Sequence, residues 1–410
     1  MSEFWKRLRN RLFAPPAARD GPAARVTAPA PRAAAPVPGF PDTYAPAAPD
    51  DGARRARLFD PALRHFPHAF RAGDPTFDSA AAAHRWAGLR RAVADHVLRA
   101  IAESEWGDRL ILRGSRLLKA WLGDAAREPG DLDWLVDPPT TGPDAKLTAG
   151  LVAAVFARPA PAGVELVRGA VATDPIWTYE RAEGRRVVFP WRAAGLPGGA
   201  VQVDVVFREA LADPDRRTPI PAADGGCVSV RAAGPAQSLA WKLMWLATDI
   251  YPQGKDLYDA VLLAERFPLP YDVLERTFQL GGERVAGTAS ALVGGWRVDW
   301  DNFRAEYAWA GASDSDWLAR LAAALGPTFG DAPGGAPPAA APGAPDPAWL
   351  TTTVVQLARG IEAECAYDRL PILADALQDA GCDDEDILNH CRGGGPHARG
   401  CWVVDLVLGK

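Results

Sequence analysis

At 410 residues the chain is long enough for two or three domains, and its 48% hydrophobic and 23% charged residues are ordinary globular values. A formal net charge of −6 excludes nucleic-acid binding by bulk electrostatics, so any such contact needs a local basic patch. No run of about 18 apolar residues suggests a transmembrane helix, and the start MSEFWKRLRNRLF is too Arg-rich for a secretory signal, so the cytoplasm is the expected location.

Residues 1–13 set Phe4, Trp5, Leu8 and Leu12 beside Lys6, Arg7, Arg9 and Arg11. The spacing predicts a short basic amphipathic helix, either a fraying tail or a tag for a membrane surface or partner. Residues 14–52 are Ala- and Pro-rich without periodicity and read as a disordered linker. Structure resumes near Arg54. Trp86, Leu89, Val93, Val97 and Ile101 predict an amphipathic helix within 78–105. Then come a strand LILR (110–113), a Gly114-Ser115 turn, a helix at 116–122 and a strand DLDWLV (131–136). Further strands are expected at 164–167, 177–180, 186–189 and 201–207, with turns at Glu183-Gly184 and Gly198-Gly199. From Pro235 to about Gly326 the pattern is helical.

Residues 326–347 read as a second linker, rich in Pro, Gly and Ala. The tail, 348–410, has its own periodicity in Leu370, Leu373 and Leu377, followed by a helix opening at Asp383 or Asp384, and reads as a small separate helical module. Four of the five cysteines (Cys227, Cys365, Cys382, Cys391 and Cys401) lie in that tail, which argues against a chain-wide disulfide framework. Cys382, His390, Cys391, His397 and Cys401 invite a zinc reading. The paired C-x2–4-C of common structural sites is missing, and cysteines buried in a small helical core are the preferred account.

Five features carry chemistry. Gly114-Ser115 follows an apolar strand and opens a helix, where backbone can approach a ligand and free N–H groups face an anion; Ser115 could instead cap the helix. Asp131 and Asp133 at i and i+2 of a strand point to one face and repel unless a proton or cation intervenes. Asp204 is the only charged residue in the apolar strand VQVDVVF, where an unpaired carboxylate is costly. A third carboxylate on a neighbouring strand would complete a metal site for phosphoryl or nucleotidyl transfer; pairing with an arginine is the alternative. Lys242, in the apolar helix SLAWKLMWLA, needs an anion, either a triphosphate or a carboxylate. Asp256 and Asp259 in KDLYD share a helix face at i and i+3.

Together these residues resemble the AbiEii/AbiGii-type nucleotidyltransferases, the toxin side of bacterial abortive-infection and toxin–antitoxin pairs, over roughly residues 80–310. The resemblance rests on LILRGS (110–115), DLD (131–133), VQVDVVF (201–207), AWKLMWL (240–246) and KDLYDAVLL (255–263). It implies an α+β nucleotidyltransferase fold: a mixed sheet with flanking helices and a helical C-terminal half, within residues 54–325. It further implies Mg²⁺, possibly two ions, an NTP co-substrate, a tRNA or protein acceptor, and a cognate antitoxin. In those terms Gly114, Ser115, Lys242 and Lys255 would bind the NTP. Asp131, Asp133 and Asp204 would hold metal, and Asp256 would be essential to activity. The stretch from Arg116 to Gly130 is longer than the family's usual spacer, and Asp124–Gly130 reads as a surface-loop insertion, which is cheap. The last 41 residues (370–410) resemble a short module attached to otherwise unrelated bacterial proteins, with no function to carry over.

The alternatives are nucleotidylation of a small molecule and a non-catalytic scaffold on a degenerate core. Neither G-x-x-x-x-G-K-[ST] nor H-E-x-x-H occurs, and none of the six histidines neighbours a plausible nucleophile.

Overall fold

A computed structural model describes residues 40–44, 53–330 (apart from 65, 67, 68, 179–181, 286 and 312) and 346–409 (apart from 365 and 393–400). The expected basic helix at 1–13 and most of both linkers lie outside the described residues, as does the end of the strand expected at 177–180.

A mixed sheet carries the site. Its strands are β3 (Leu110–Arg113), β4 (Asp131–Val136), β5 (Glu165–Leu166), β6 (Ala172–Thr178), β7 (Ala182–Ala193), β8 (Leu196–Val206), β9 (Arg216–Pro221) and β10 (Cys227–Ala232). They run in the order β5-β7-β8-β4-β3-β10-β9, with β6 also on β7. The central ladders are β3–β4 antiparallel, β4–β8 parallel and β7–β8 antiparallel. A separate hairpin, β1 (Arg55–Phe59) and β2 (Phe70–Pro75), precedes the sheet. The fold is α+β, as the resemblance implies.

Sheet register is fixed from the opposite face to the carboxylates. Leu132 and Trp134 alternate with Asp131 and Asp133 and are fully buried. Each such burial stabilises by roughly 1.5–3 kcal/mol, and a one-residue slip would exchange them with the acids. Helix α1 (Ala80–Ala102) packs on the sheet through Trp86, whose Nε1 donates to Pro197 O at 3.0 Å. Helix α2 (Ser115–Leu122) follows β3, and α3 (Ala145–Ala157) packs on α1. The helical half begins with α4 (Pro235–Thr248) and α5 (Gly254–Arg266), which pack on each other. It continues through α6 (Tyr271–Leu280), α7 (Ala289–Val293), α8 (Trp300–Glu306), α9 (Asp314–Ala324) and α10 (Gly326–Phe329). Four more helices, α11 (Thr352–Glu364), α12 (Leu370–Asp379), α13 (Glu385–Arg392) and α14 (Trp402–Leu408), share a second hydrophobic core that buries Cys382, Cys391 and Cys401, none of them in a disulfide, with His390 Nε2 3.1 Å from Cys401 Sγ. Cys227 is disulfide-bonded.

Several expectations need correction. Glu183-Gly184 and Gly198-Gly199 are not turns but lie inside β7 and β8, and the real turn is at Ala194-Gly195. The glycines make room for neighbours: a Cβ on Gly199 would lie 2.3 Å from the Trp191 ring, and one on Gly184 would meet Ile176 at 2.9 Å. Nor is the first linker wholly unpacked. Asp42–Tyr44 forms a turn against β6 and β7, Thr43 N donates to Asp174 Oδ2 at 2.7 Å, and Phe40 stacks edge-on with Phe66. The second linker starts later than expected, because Gly326–Phe329 is helical and packs on the core.

Candidate active site

Register brings the carboxylates together. In the β4–β8 ladder Asp131 lies opposite Gln202 and Asp133 opposite Asp204, so all four side chains leave one face. Asp131, Asp133 and Asp204 each present an oxygen within 4.8 Å of the others. Among the described residues no other group of three or more Asp, Glu, His or Cys has metal-binding spacing.

Their surroundings differ. Asp204, 6% exposed, accepts hydrogen bonds from Arg186 Nε and Nη2, both at 2.8 Å. Thus Asp204 is at once the third carboxylate and an arginine partner. Gln202 Nε2 donates to Asp204 Oδ2 at 3.2 Å and reaches Asp131 Oδ2 at 3.5 Å. The Tyr44 ring lies 5.0 Å from the Arg186 guanidinium, and burial pushes its hydroxyl up to about 12. Asp133 has no ion-pair partner among the described residues. Its carboxyl is pushed up to about 8, first by burial and then by repulsion from Asp131 and Asp204, with Arg113 and Lys255 opposing. A cation would relieve that repulsion.

Gly114 has φ 81°, and a Cβ there would lie 2.2 Å from Asp133 Oδ2. Only glycine lets the chain pass so close to the carboxylate at that φ. Ser115 does not cap the helix: it is the first helical residue, Gly114 stands at the N-cap, and no side chain caps it. Its hydroxyl is buried without a hydrogen-bond partner. Leaving a buried hydroxyl unpaired costs roughly 1–3 kcal/mol, and a phosphate oxygen would satisfy it. Lys255, in the first turn of α5, is near enough to Asp133 to oppose the rise in its pKa.

Lys242 and Asp256 belong to a second cluster. Lys242 Nζ pairs with Asp256 Oδ1 at 2.7 Å and Asp259 Oδ2 at 3.0 Å, and Asp259 accepts from Arg127 Nε and Nη2 at 3.1 and 2.9 Å. Burial works against both ions, but Arg127 and Lys242 outweigh it at Asp259, whose carboxyl is lowered, and the two acids outweigh it at Lys242, whose pKa is raised. Of the two anions open to Lys242 from sequence, the structure supplies carboxylates. The stretch Asp124–Gly130 is a surface loop only in part: Asp124, Ala125, Glu128 and Gly130 are exposed, but the loop also reaches inward. Ala126 is in the core, Ala125 O accepts from Tyr258 Oη at 2.7 Å, and Arg127 is buried where Asp131 also acts on its charge. The loop ties the carboxylate strand to the KDLYD helix. Arg127 and Arg186 were missed from sequence, whereas alternation along VQVDVVF already puts Gln202 on the face of Asp204.

A model of the family described as nucleotidyl transferase AbiEii toxin, type IV toxin–antitoxin system, matches residues 96–322. That is over half of the chain and includes every carboxylate of both clusters. The protein belongs to the AbiEii nucleotidyltransferase family. Membership makes it an enzyme of nucleotidyl transfer and implies a nucleotide substrate and an antitoxin counterpart. No curated protein matches the chain. No helix among the described residues of this AbiEii protein is long and apolar enough to cross a membrane.

The raised Asp133 pKa gives a signed expectation. The folded value lies above the ordinary 3.8, so between about 4 and 8 the fold binds the extra proton and stability falls as pH rises through that window. A divalent cation held by these carboxylates would compete with that proton, so a gain in Tm at saturating Mg²⁺ should be larger at pH 8 than at pH 6. Thermal melts across this range check it; an equal gain at both would show that Asp133 does not meet the ion.

Proposed function

We propose that this AbiEii enzyme transfers a nucleotide from an NTP to a macromolecular acceptor, tRNA or protein, in a Mg²⁺-dependent reaction restrained by a cognate antitoxin. The carrying observation is the convergence of Asp131, Asp133 and Asp204 within 4.8 Å. The buried, unpartnered Ser115 hydroxyl on the adjoining helix supports it.

The residues fit a hard divalent cation: the donors are carboxylate oxygens, only Asp204 of the three is paired with an arginine among the described residues, and Asp133 is repelled by the other two. Asp131 and Asp133 would be the principal ligands, with Asp204 as the third. When bound, such a cation supplies positive charge to phosphate oxygens in the transition state. Ser115 Oγ and the first backbone N–H groups of α2 donate to the triphosphate, and Lys255 adds a cation. Arg186 fixes the orientation of Asp204, which accepts the proton as the acceptor oxygen attacks the α-phosphorus and pyrophosphate leaves. Lys242 and Asp256 hold the first turn of α5, and with it Lys255, in place. The division into a transferase domain (54–325) and a C-terminal module (348–410) is part of the proposal, supported by the two hydrophobic cores.

Incubating the full-length protein with Mg²⁺, total RNA or cell protein, and each NTP labelled at the α- or γ-phosphate tests this. Label should reach acceptor only from the α position. Label from the γ position, or none with any NTP, overturns the reading. Ser115→Ala should weaken NTP binding about 5- to 10-fold while leaving stability unchanged or slightly higher, because it deletes an unpaired buried hydroxyl. Calorimetric titration and a urea melt measure the two effects, and a clear loss of stability would show that the hydroxyl has a structural partner.

A further inference from the structure

The β1–β2 hairpin has no role in the site described above, and its chemistry is unlike the rest of the chain. Residues 53–75 carry Arg54, Arg55, Arg57, Arg64 and Arg71 against Asp60 and Asp74, in a chain of net charge −6. One face is packed: Leu58 is buried, Arg71 pairs with Glu306 of α8, and Asn302 of α8 donates to Phe59 O at 3.1 Å. Register puts Arg57, Phe59, Phe70 and Ala72 on the other face. There Phe70 is 44% exposed, with the Arg57 guanidinium 4.7 Å from its ring centroid. Phe59 meets Phe70 and Tyr251 edge-on, and Arg64 lies 5.8 Å from the Tyr251 ring. Arg57 has no ion pair among the described residues. The hairpin is also tied to the strand that carries Asp204, because Arg55 Nη2 donates to Gly198 O of β8 at 2.8 Å.

Arginines interleaved with half-exposed rings suit a partner that is both anionic and aromatic. An acidic peptide meets only the first requirement; a single-stranded nucleic acid meets both, since each phosphate brings charge and each base a π-face. We propose that the Arg57–Phe70 face of the hairpin is a stacking platform for a single-stranded RNA segment and leads the acceptor to the carboxylates. The second part rests on the nucleotidyl-transfer reading; the binding itself does not.

The test is fluorescence anisotropy of a labelled 12-nucleotide single-stranded RNA on the full chain, without NTP or Mg²⁺. Phe70→Ala should weaken binding roughly 5- to 50-fold and Phe70→Tyr should restore it, because the ring is what stacks. Arg57→Ala should weaken binding and lower the salt slope by about 1. Circular dichroism and unchanged NTP binding establish that the variants are folded. The platform is overturned if wild type does not bind the oligonucleotide, if the folded variants bind as wild type does, or if an acidic peptide of equal charge binds with the same sensitivity to Phe70. Because no turnover is needed, failure of the transfer reaction leaves this result standing, and transfer by variants with normal RNA binding removes the platform alone.

Discussion

Asp133→Asn should lower nucleotide transfer at least about 10²-fold and, without added metal, make the protein more stable at pH 8. The two effects share a cause. Asp133 sits against Gly114 with no cation of its own, between two other carboxylates, and its carboxyl is pushed up to about 8. Asparagine keeps the volume, removes the repulsion and removes the charge that a cation would use. The stability gain should be small near pH 4, where the folded carboxyl is already protonated, and should grow as pH rises to about 8. Single-turnover transfer and melts at several pH values check both halves. Full activity, or destabilisation at pH 8, would refute the role assigned to Asp133.

Arg127→Leu should cost about 3–5 kcal/mol, the largest stability effect expected outside the apolar core. It removes the bidentate partner of Asp259 and leaves two buried carboxylates, Asp256 and Asp259, to one Lys242. Arg127→Lys keeps the charge without the fork and should fall in between. Because Asp259 has a depressed pKa, the stability it contributes is present above about pH 4 and is lost as pH falls further. Urea unfolding at pH 7 measures the cost. A loss below about 1 kcal/mol would mean that the loop is the dispensable insertion its sequence suggests.

What sequence could and could not reveal follows from the range of the forces involved. Asp131 and Asp133 were legible because strand alternation is local, and Asp204 because a lone carboxylate between valines is expensive wherever it sits. The partners were not legible. Arg186 faces Asp204 only through the β7–β8 register, and Arg127 reaches Asp259 from a loop with no periodicity. Lys242 announced its need for an anion but not which anion. Gly184 and Gly199 were misread because glycine marks close approach inside a strand as readily as a turn. β9 escaped notice because Pro219 and Pro221 interrupt it, which an edge strand tolerates. The hairpin at 55–75 lacks clean alternation because one face meets α8 and the other is lined by arginine and phenylalanine.

The most direct measurement is anomalous X-ray scattering from crystals of the full-length protein grown with Mn²⁺ and a non-hydrolysable NTP analogue at pH 8. A manganese peak bounded by Asp131, Asp133 and Asp204, with a phosphate oxygen on Ser115 Oγ, is the expected result. An NTP analogue bound elsewhere, with the three carboxylates metal-free at saturating Mn²⁺, would contradict the assignment of this site as the seat of nucleotide transfer.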